Sequence, residues 1–490
     1  MLRLPDLHMS GNTQLVLGAT VCVWAIGVII RAYRRRSYLP PSPPTRRLRG
    51  HFLPLQNASL TVVWWIDEYG PLITIRSGLR TTVIIDRYKA AVDIMEKQGK
   101  LVADRPRLAA GEIVTRGLSI ILARAGDRFR RSRRALQSHL QPKSAEEYQP
   151  LQMSQAKNMI LNLLDDPDNF QNHATTYAAS TILKVAYGKT TPTSATDPEI
   201  REARKLTRRL RTILRHGHYL VDSIPWLKYL PGYAPELQDE FERTKRLYTG
   251  QLNRVKLQMN NEDIGPSFAK YILENEHLYG FTEIQMAYLA GAFFGAGTET
   301  TAMAICTVLM AATHFPEEQA RVQDELDEVI GRKRAPTFTD RSSLPRLEAF
   351  IPGVPRRTTQ DENYCIPAGT TIVGNHWAIS RDPEVYPEPN AFKPQRWIDG
   401  QGRLRNNLAF FVFGFGRRVC PGQHVAHRSV FINSVLILWA FQLSLDHTKP
   451  QDDTGFTNVA MPNIPCAIKF KTRIPEVELR HMMQNYPEAG

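Results

Sequence analysis

Ten residues toward the C-terminal end, Phe413 to Gly422 (FGFGRRVCPG), surround a single cysteine with glycine and arginine. A thiolate is either a nucleophile or a metal ligand, and Cys420 has the surroundings that a thiolate needs. Arg417 and Arg418 supply fixed positive charge that favours the anion. Gly414, Gly416 and Gly422 let the backbone come close to a bulky partner, and a helical pattern starts after Gly422, whose first N–H groups suit a sulfur anion. An anionic sulfur packed under a flat ligand is what a haem iron requires of an axial ligand. The alternative is a nucleophilic cysteine, which needs a positioned base. His424 and His427 are the near candidates, and both equally suit the solvated side of the following helix. The other cysteines (Cys22, Cys306, Cys365, Cys466) are widely spaced and form no C-x-x-C pair, so they suggest neither a disulfide framework nor a zinc knuckle. Cys306 and Cys466 read as inert core residues.

A second pattern lies in the middle of FTEIQMAYLAGAFFGAGTETTAMAICTVLMAATHFP, at Ala296-Gly297-Thr298-Glu299-Thr300. The stretch opens with a capping-box pair, Thr282 and Gln285, and ends ahead of Pro316, which predicts a helix of about 30 residues, roughly 45 Å long. It is apolar enough for a buried helix or a membrane span, but a carboxylate such as Glu299 costs about 2.5 to 3.5 kcal/mol at a bilayer centre. Gly297 would let a flat ligand approach the helix. Glu299 and Thr300 offer a route for protons that packing alone does not require.

The rest of the chain must position these groups. It has 490 residues and a net charge of +14, and 42 % of its residues are hydrophobic, ample for a large core. No repeat and no Ser/Gly-rich linker divides it, so residues 61–490 read as one catalytic domain. Leu15 to Ile30 carries no charge and is followed by Arg31, Arg34, Arg35 and Arg36. No small-residue cleavage site follows, so residues 1–36 read as a retained single-pass anchor, with everything downstream on the cytoplasmic side. Residues 37–60 hold Pro40, Pro41, Pro43 and Pro44, a stiff polyproline spacer; the sequon Asn57-Ala58-Ser59 is then cytosolic and unglycosylated. Leu72 to Gly78 and Thr81 to Asp86 are β-branched runs split by Gly78, a hairpin signal. Tyr88 to Gly99 switches to helical spacing, long helical patterns fill most of 140–330, and Tyr364 to Trp377 is again β-rich. The layout is α+β and predominantly α-helical.

The order Phe413, Gly416, Arg418, Cys420, Gly422 is similar to the F-x-x-G-x-R-x-C-x-G haem loop of the cytochrome P450 family. The stretch 296–300 resembles its A-G-x-D/E-T oxygen-activation motif, AFKPQRW (391–397) its F-x-P-x-R-F/W segment, and PEEQARVQDELDEVIG the helix after the oxygen helix. The detail is closest to fungal members. The resemblance implies a haem b cofactor with Cys420 as the proximal iron ligand, Arg418 on a propionate and Phe413 near the sulfur. It also implies electrons from NADPH through a reductase, O2 and a small lipophilic substrate as partners, and residence in the endoplasmic reticulum membrane. Phe129 and Arg133, four apart on one helical face, stand where the family usually has Trp and Arg contacting propionate; Phe129 cannot donate a hydrogen bond as an indole does. Six arginines between Arg124 and Arg134 make this helix basic. No nucleic-acid fold signature accompanies them, and steering of an acidic electron donor is the physical account of such a face.

One departure is large. In the family a helix bearing E-x-x-R sits between segments like Leu347 to Ile351 and segments like Gly353 to Thr359. Here Ile351 runs straight into Pro352-Gly353. Glu318 to Arg321 and Glu240 to Arg243 spell E-x-x-R by chance, and Arg396, the family partner of that network, is expected to be left as an unpaired buried charge. Glu348 or Asp361 are the carboxylates that would rescue it. The function expected is a membrane-anchored haem-thiolate monooxygenase. The rivals are a haem-poor pseudoenzyme or mis-spliced product of the same fold, and a membrane-tethered interaction protein without catalysis. FFGAG (293–297) indicates apolar walls and VDSIPWLKYLPGY (221–233) a membrane-facing access region.

Overall fold

The computed structural model describes residues 39–45, 50–51, 58–77, 80–215, 217–261, 265–351, 366–405, 412–449 and 467–487, together with Thr20 and Val23. The remainder of the expected anchor, part of the proline-rich spacer, Asn57, Cys22, Cys365, Cys466 and residues 352–365 lie outside the described residues. The chain divides into two compact units, Met1–Val102 with Arg357–Asn390, and Ala103–Arg356 with Ala391–Gly490.

In the first unit the β-branched runs form the expected antiparallel pair. Strand β1 (Leu72–Ser77) lies against β2 (Arg80–Ile85) with Ile73 opposite Ile84 and Thr74 opposite Val83. Strand β3 (Thr371–Gly374) adds to the far side of β2 in parallel, Ile84 opposite Val373. Both faces are buried, Ile73 and Ile84 on one and Val83 and Ile85 on the other, and helix α1 (Ala58–Tyr69) covers the first with Val62 and Ile66 against Ile73, Ile75 and Ile84. Asp86, at the end of β2, is fully buried, and both carboxylate oxygens lack a well-formed hydrogen bond.

The second unit is helical. Its long helices are α2 (Asp127–Leu140), α3 (Gln149–Asp165), α4 (Phe170–Tyr187), α5 (Pro198–Ile213), α6 (Pro235–Asn261), α7 (Glu283–His314), α8 (Pro316–Val329) and α10 (Gln423–Ala440), and several shorter ones include α9 (Pro345–Phe350). A small antiparallel pair, β4 (Phe441–Leu445) and β5 (Ile468–Thr472), closes it. Helix α7 starts as its sequence dictates: Thr282 N–H donates to Gln285 Oε1 at 3.0 Å, and the chain leaves it at Phe315 so that Pro316 opens α8, where its missing N–H costs nothing. Among the described residues it is the one helix long and apolar enough to cross a bilayer, and half of that apolar window is buried by its neighbours, as befits a core helix. Side-chain shape explains its packing. A Cβ on Gly297 would lie 2.6 Å from Ile182 Cγ1 of α4, and one on Gly291 would lie 2.4 Å from the Tyr248 ring of α6. Helix α10 is buried along its second half, from Ser429 to Ala440.

Candidate active site

The Phe413–Gly422 loop turns on its glycines. Gly414 and Gly416 have φ of +83° and +48°, the left-handed region where a Cβ is penalised. The turn they make brings the Cys420 N–H to 2.8 Å from the Phe413 carbonyl and closes the loop on itself. Gly422 is the residue before α10, and its N–H points at the Cys420 sulfur. Burial pushes the Cys420 thiol up, opposed by that N–H and by the charge of Arg133. The protein alone therefore supplies some, but not all, of the stabilisation a thiolate needs; a cation at the sulfur would supply the rest.

Three arginines gather around the loop. Arg133, on α2, donates from Nη1 to the Val419 carbonyl at 2.8 Å. Arg418 donates from Nε to the Ala103 carbonyl (2.6 Å) and from Nη2 to the Ala123 carbonyl (2.8 Å), and its guanidinium carbon stacks 3.8 Å from the centroid of the Phe129 ring. Burial, together with the charges of Arg105 and Arg133, presses the Arg418 pKa down to about 10, with Asp104 opposing. Burial also lowers Arg105 and Arg133. Desolvated like charges at one place call for anions, and two carboxylates of a flat ligand would meet that need. Arg105 escaped the sequence reading. Its only signal was DRPR (104–107), a short basic run in a loop.

Both histidines offered as a base are disfavoured as proton acceptors, His424 being lowered by burial and then by the charge of Arg428. His427, proposed above as a base, rests its ring 4.8 Å from that of Phe413 and is pushed down to about 4, first by burial and then by the charge of Arg341, so it is a poor base at neutral pH. Among the described residues no group of three His, Cys, Asp or Glu side chains could cage a bare metal ion. A metal that brings its own macrocycle needs from the protein only one axial ligand, and the lone Cys420 with its arginines fits haem.

Helix α7 divides its motif between faces. Ala296 and Thr300, one turn apart, are exposed, as is Thr307 further along, on a helix whose other faces are largely buried. The Thr300 hydroxyl donates back to the Ala296 carbonyl at 2.7 Å, which leaves its oxygen lone pairs to accept. Glu299, by contrast, is 2 % exposed and turned toward α5, where Arg208 Nε stands 3.6 Å and Arg211 Nη2 3.3 Å from its oxygens. Gly297, expected to admit a flat ligand, admits Ile182 instead; helical rotation places the open face at Ala296 and Thr300.

The expectation for Arg396 is corrected. It is half-buried, and its guanidinium donates to the Ala391 and Lys393 carbonyls at 2.7 and 3.1 Å, so it is not an unpaired buried charge. Glu348 does not serve it, being paired with Arg341. The chance E-x-x-R matches are elsewhere: Glu318 pairs with Arg321 within α8, and Glu240 with Arg209 of α5.

The sequence profile of the Cytochrome P450 family matches residues 40–470. The chain belongs to the cytochrome P450 family. It is 45 % identical over 477 residues to cytochrome P450 monooxygenase 64 of Postia placenta, covering 94 % of this chain and 96 % of that one. Cytochrome P450 monooxygenase 113 of the same fungus is 44 % identical, with 91 % and 93 % covered, and a cytochrome P450 monooxygenase of Armillaria gallica is 31 % identical, with 86 % and 87 % covered. The P450 fold, helix-dominated with small sheets, and membership of the haem-thiolate monooxygenases follow from this match, and the protein is an enzyme of that class.

Proposed function

We propose that this cytochrome P450 uses Cys420 as its iron ligand and oxidises lipophilic substrates with electrons delivered from NADPH by a reductase. The observation that carries the reading is the convergence of Arg105, Arg133 and Arg418 beside a half-buried cysteine whose sulfur receives the Gly422 N–H. Haem, when bound, supplies the binding and cleavage of O2 and the transfer of one oxygen atom to the substrate. The protein's part is position and protons. Arg133 and Arg418 hold the propionates, with Phe129 fixing the plane of Arg418. Phe413, Gly416 and Gly422 shape the bed of the sulfur. Thr300, exposed on α7, accepts a hydrogen bond from a water and holds it for proton delivery, and Glu299 replenishes the proton from the α5 side, a general-acid contribution on the order of 10² to 10⁴ in rate.

The substrate class rests on the apolar surface at 220–230, where Leu220, Trp226 and Tyr229 are 69 %, 61 % and 76 % exposed. Exposed aromatics of this density on a short turn suit a membrane surface, and with the expected anchor over 1–36 and spacer over 37–60 they favour an endoplasmic reticulum enzyme with residues 61–490 in the cytosol. The arginine-rich α2, with Arg130 and Arg134 exposed, is the docking face for the reductase. A second reading, a haem-poor product of the same fold, is favoured by one observation, the direct passage from Ile351 to Pro352. The test of both is the spectrum of the purified, reduced protein with carbon monoxide: a thiolate-type band supports the enzyme, and its absence at full-length expression supports the haem-poor reading.

A further inference from the structure

The missing E-x-x-R helix would have braced the side of the domain that carries the Cys420 loop. Its remnant is α9, and the structure shows what α9 holds instead. Glu348 accepts Nε–H and Nη2–H of Arg341, both at 2.9 Å, in a bidentate fork. The carboxylate side is 9 % exposed and the guanidinium 30 %. Arg341 comes from a 3-10 turn, Phe338–Ser343, and its guanidinium carbon stands 5.2 Å from the Phe431 ring centroid on α10. The charge of Arg341 is felt one turn earlier on α10, at His427. The His427 ring in turn rests on Phe413, whose carbonyl closes the loop by accepting the Cys420 N–H. A sequence of neighbours thus leads from α9 to the cysteine: Glu348 pairs with Arg341, Arg341 stands beside Phe431, Phe431 lies one turn along α10 from His427, His427 rests on the Phe413 ring, and the Phe413 carbonyl accepts the Cys420 N–H.

We propose that Arg341 and Glu348 are positioning residues that brace the Cys420 loop through α10, standing in for the ion network of the absent helix. The proposal rests on Cys420 being the haem ligand. Its physical content is mutual dependence: without Glu348 the guanidinium faces Phe431 and His427 uncompensated, with Arg428 nearby on the same helix, and without Arg341 a nearly buried carboxylate is stranded.

The test is a double-mutant cycle of Arg341→Gln, Glu348→Gln and the pair together, with Arg341→Lys as a variant that keeps charge but loses the fork. Haem occupancy and the fraction of carbon monoxide-bound protein in the thiolate rather than the thiol form are read in each. Each single change is expected to lower the thiolate fraction by about tenfold relative to the thiol form, and the double change by no more than either single one. A structural role confined to α9 would leave that fraction unmoved among the molecules that keep haem, and would overturn the proposal, as would additive effects. If wild-type protein gives no thiolate band, the haem reading fails by itself; the brace is then read on the haem-free chain, from the unfolding midpoint and the rate of Cys420 alkylation by iodoacetamide. Non-additivity there supports it and additivity overturns it.

Discussion

The guanidinium carbon of Arg418 lies 3.8 Å from the centroid of the Phe129 ring, so Phe129 serves as a platform for the arginine of the cysteine loop. A phenyl ring has no N–H to donate, and what it offers Arg418 is its face. Phe129→Leu, which keeps most of the apolar volume and removes the ring, should weaken haem retention and cost about 0.5 to 2 kcal/mol in stability. Phe129→Ala should cost about 3 to 5 kcal/mol, since the ring is largely buried. Urea unfolding of the two variants, with haem occupancy measured alongside, checks both figures; equal losses would show that the ring contributes volume only.

Thr300→Ala should keep haem and its thiolate spectrum but divert electrons, so that a larger share of NADPH consumed appears as hydrogen peroxide and product formation falls by about 10² or more. Thr300→Ser, which keeps the hydroxyl, should stay near wild type. Unchanged coupling of NADPH to product in the alanine variant removes Thr300 from the mechanism.

Glu299 is the buried partner of Arg208 and Arg211. Glu299→Gln leaves two guanidiniums facing one another, but both are partly exposed, so water screens them and the loss of stability should be only about 1 to 2 kcal/mol. The effect on turnover should be larger than that on folding. A solvent deuterium effect on product formation that grows in the variant is the expected signature; an unaltered one would place Glu299 outside the proton route.

Burial raises the Asp86 carboxyl from 3.8 to about 7. A raised acid holds its proton in the folded chain where the unfolded chain has lost it, so its contribution to stability falls as pH rises from about 4 to about 7 and is flat above. Asp86→Asn should remove that slope and raise the unfolding midpoint at pH 8. His139, pushed down to about 4 by burial, acts with the opposite sign as pH falls below its ordinary value of 6.5. The informative quantity is therefore the difference between Asp86→Asn and wild type across pH 4 to 8, and a flat difference would mean that Asp86 is ionised in the fold.

Deleting residues 1–36 should move the protein from a fraction that resists alkaline carbonate to one that carbonate releases. Release of the full-length chain by carbonate would argue against an integral anchor.

Local chemistry was legible in the sequence and long-range partnership was not. The cysteine loop, the capping box at Thr282 and the hairpin of Leu72 to Ile85 depend on neighbours within ten or so residues, and each can be read from types and spacing. The partners of Glu299 on α5 stand some ninety residues earlier in the chain, and nothing in RRLR marks them. Gly297 shows a subtler limit. A glycine announces that something comes close, but whether that something is a cofactor or Ile182 depends on which neighbour the helix turns it toward. The expected cost at Arg396 failed for a related reason, because an arginine with five donors can turn to backbone carbonyls, as Arg396 does at Ala391 and Lys393.

The parallel pairing of β3 on β2 carries a consequence in time. Ile85 must wait for Gly374, and at about 5 to 20 residues per second of synthesis the hairpin spends on the order of half a minute with the edge of β2 bare while the first and larger part of the helical unit, Ala103–Arg356, emerges behind it. An uncovered edge of Val83, Ile84 and Ile85 is a template for the wrong strand, so the most vulnerable species in the life of this enzyme is the nascent chain, and the yield of folded protein should follow the speed of the ribosome and the supply of chaperones that shield strand edges more closely than it follows the stability of the finished fold.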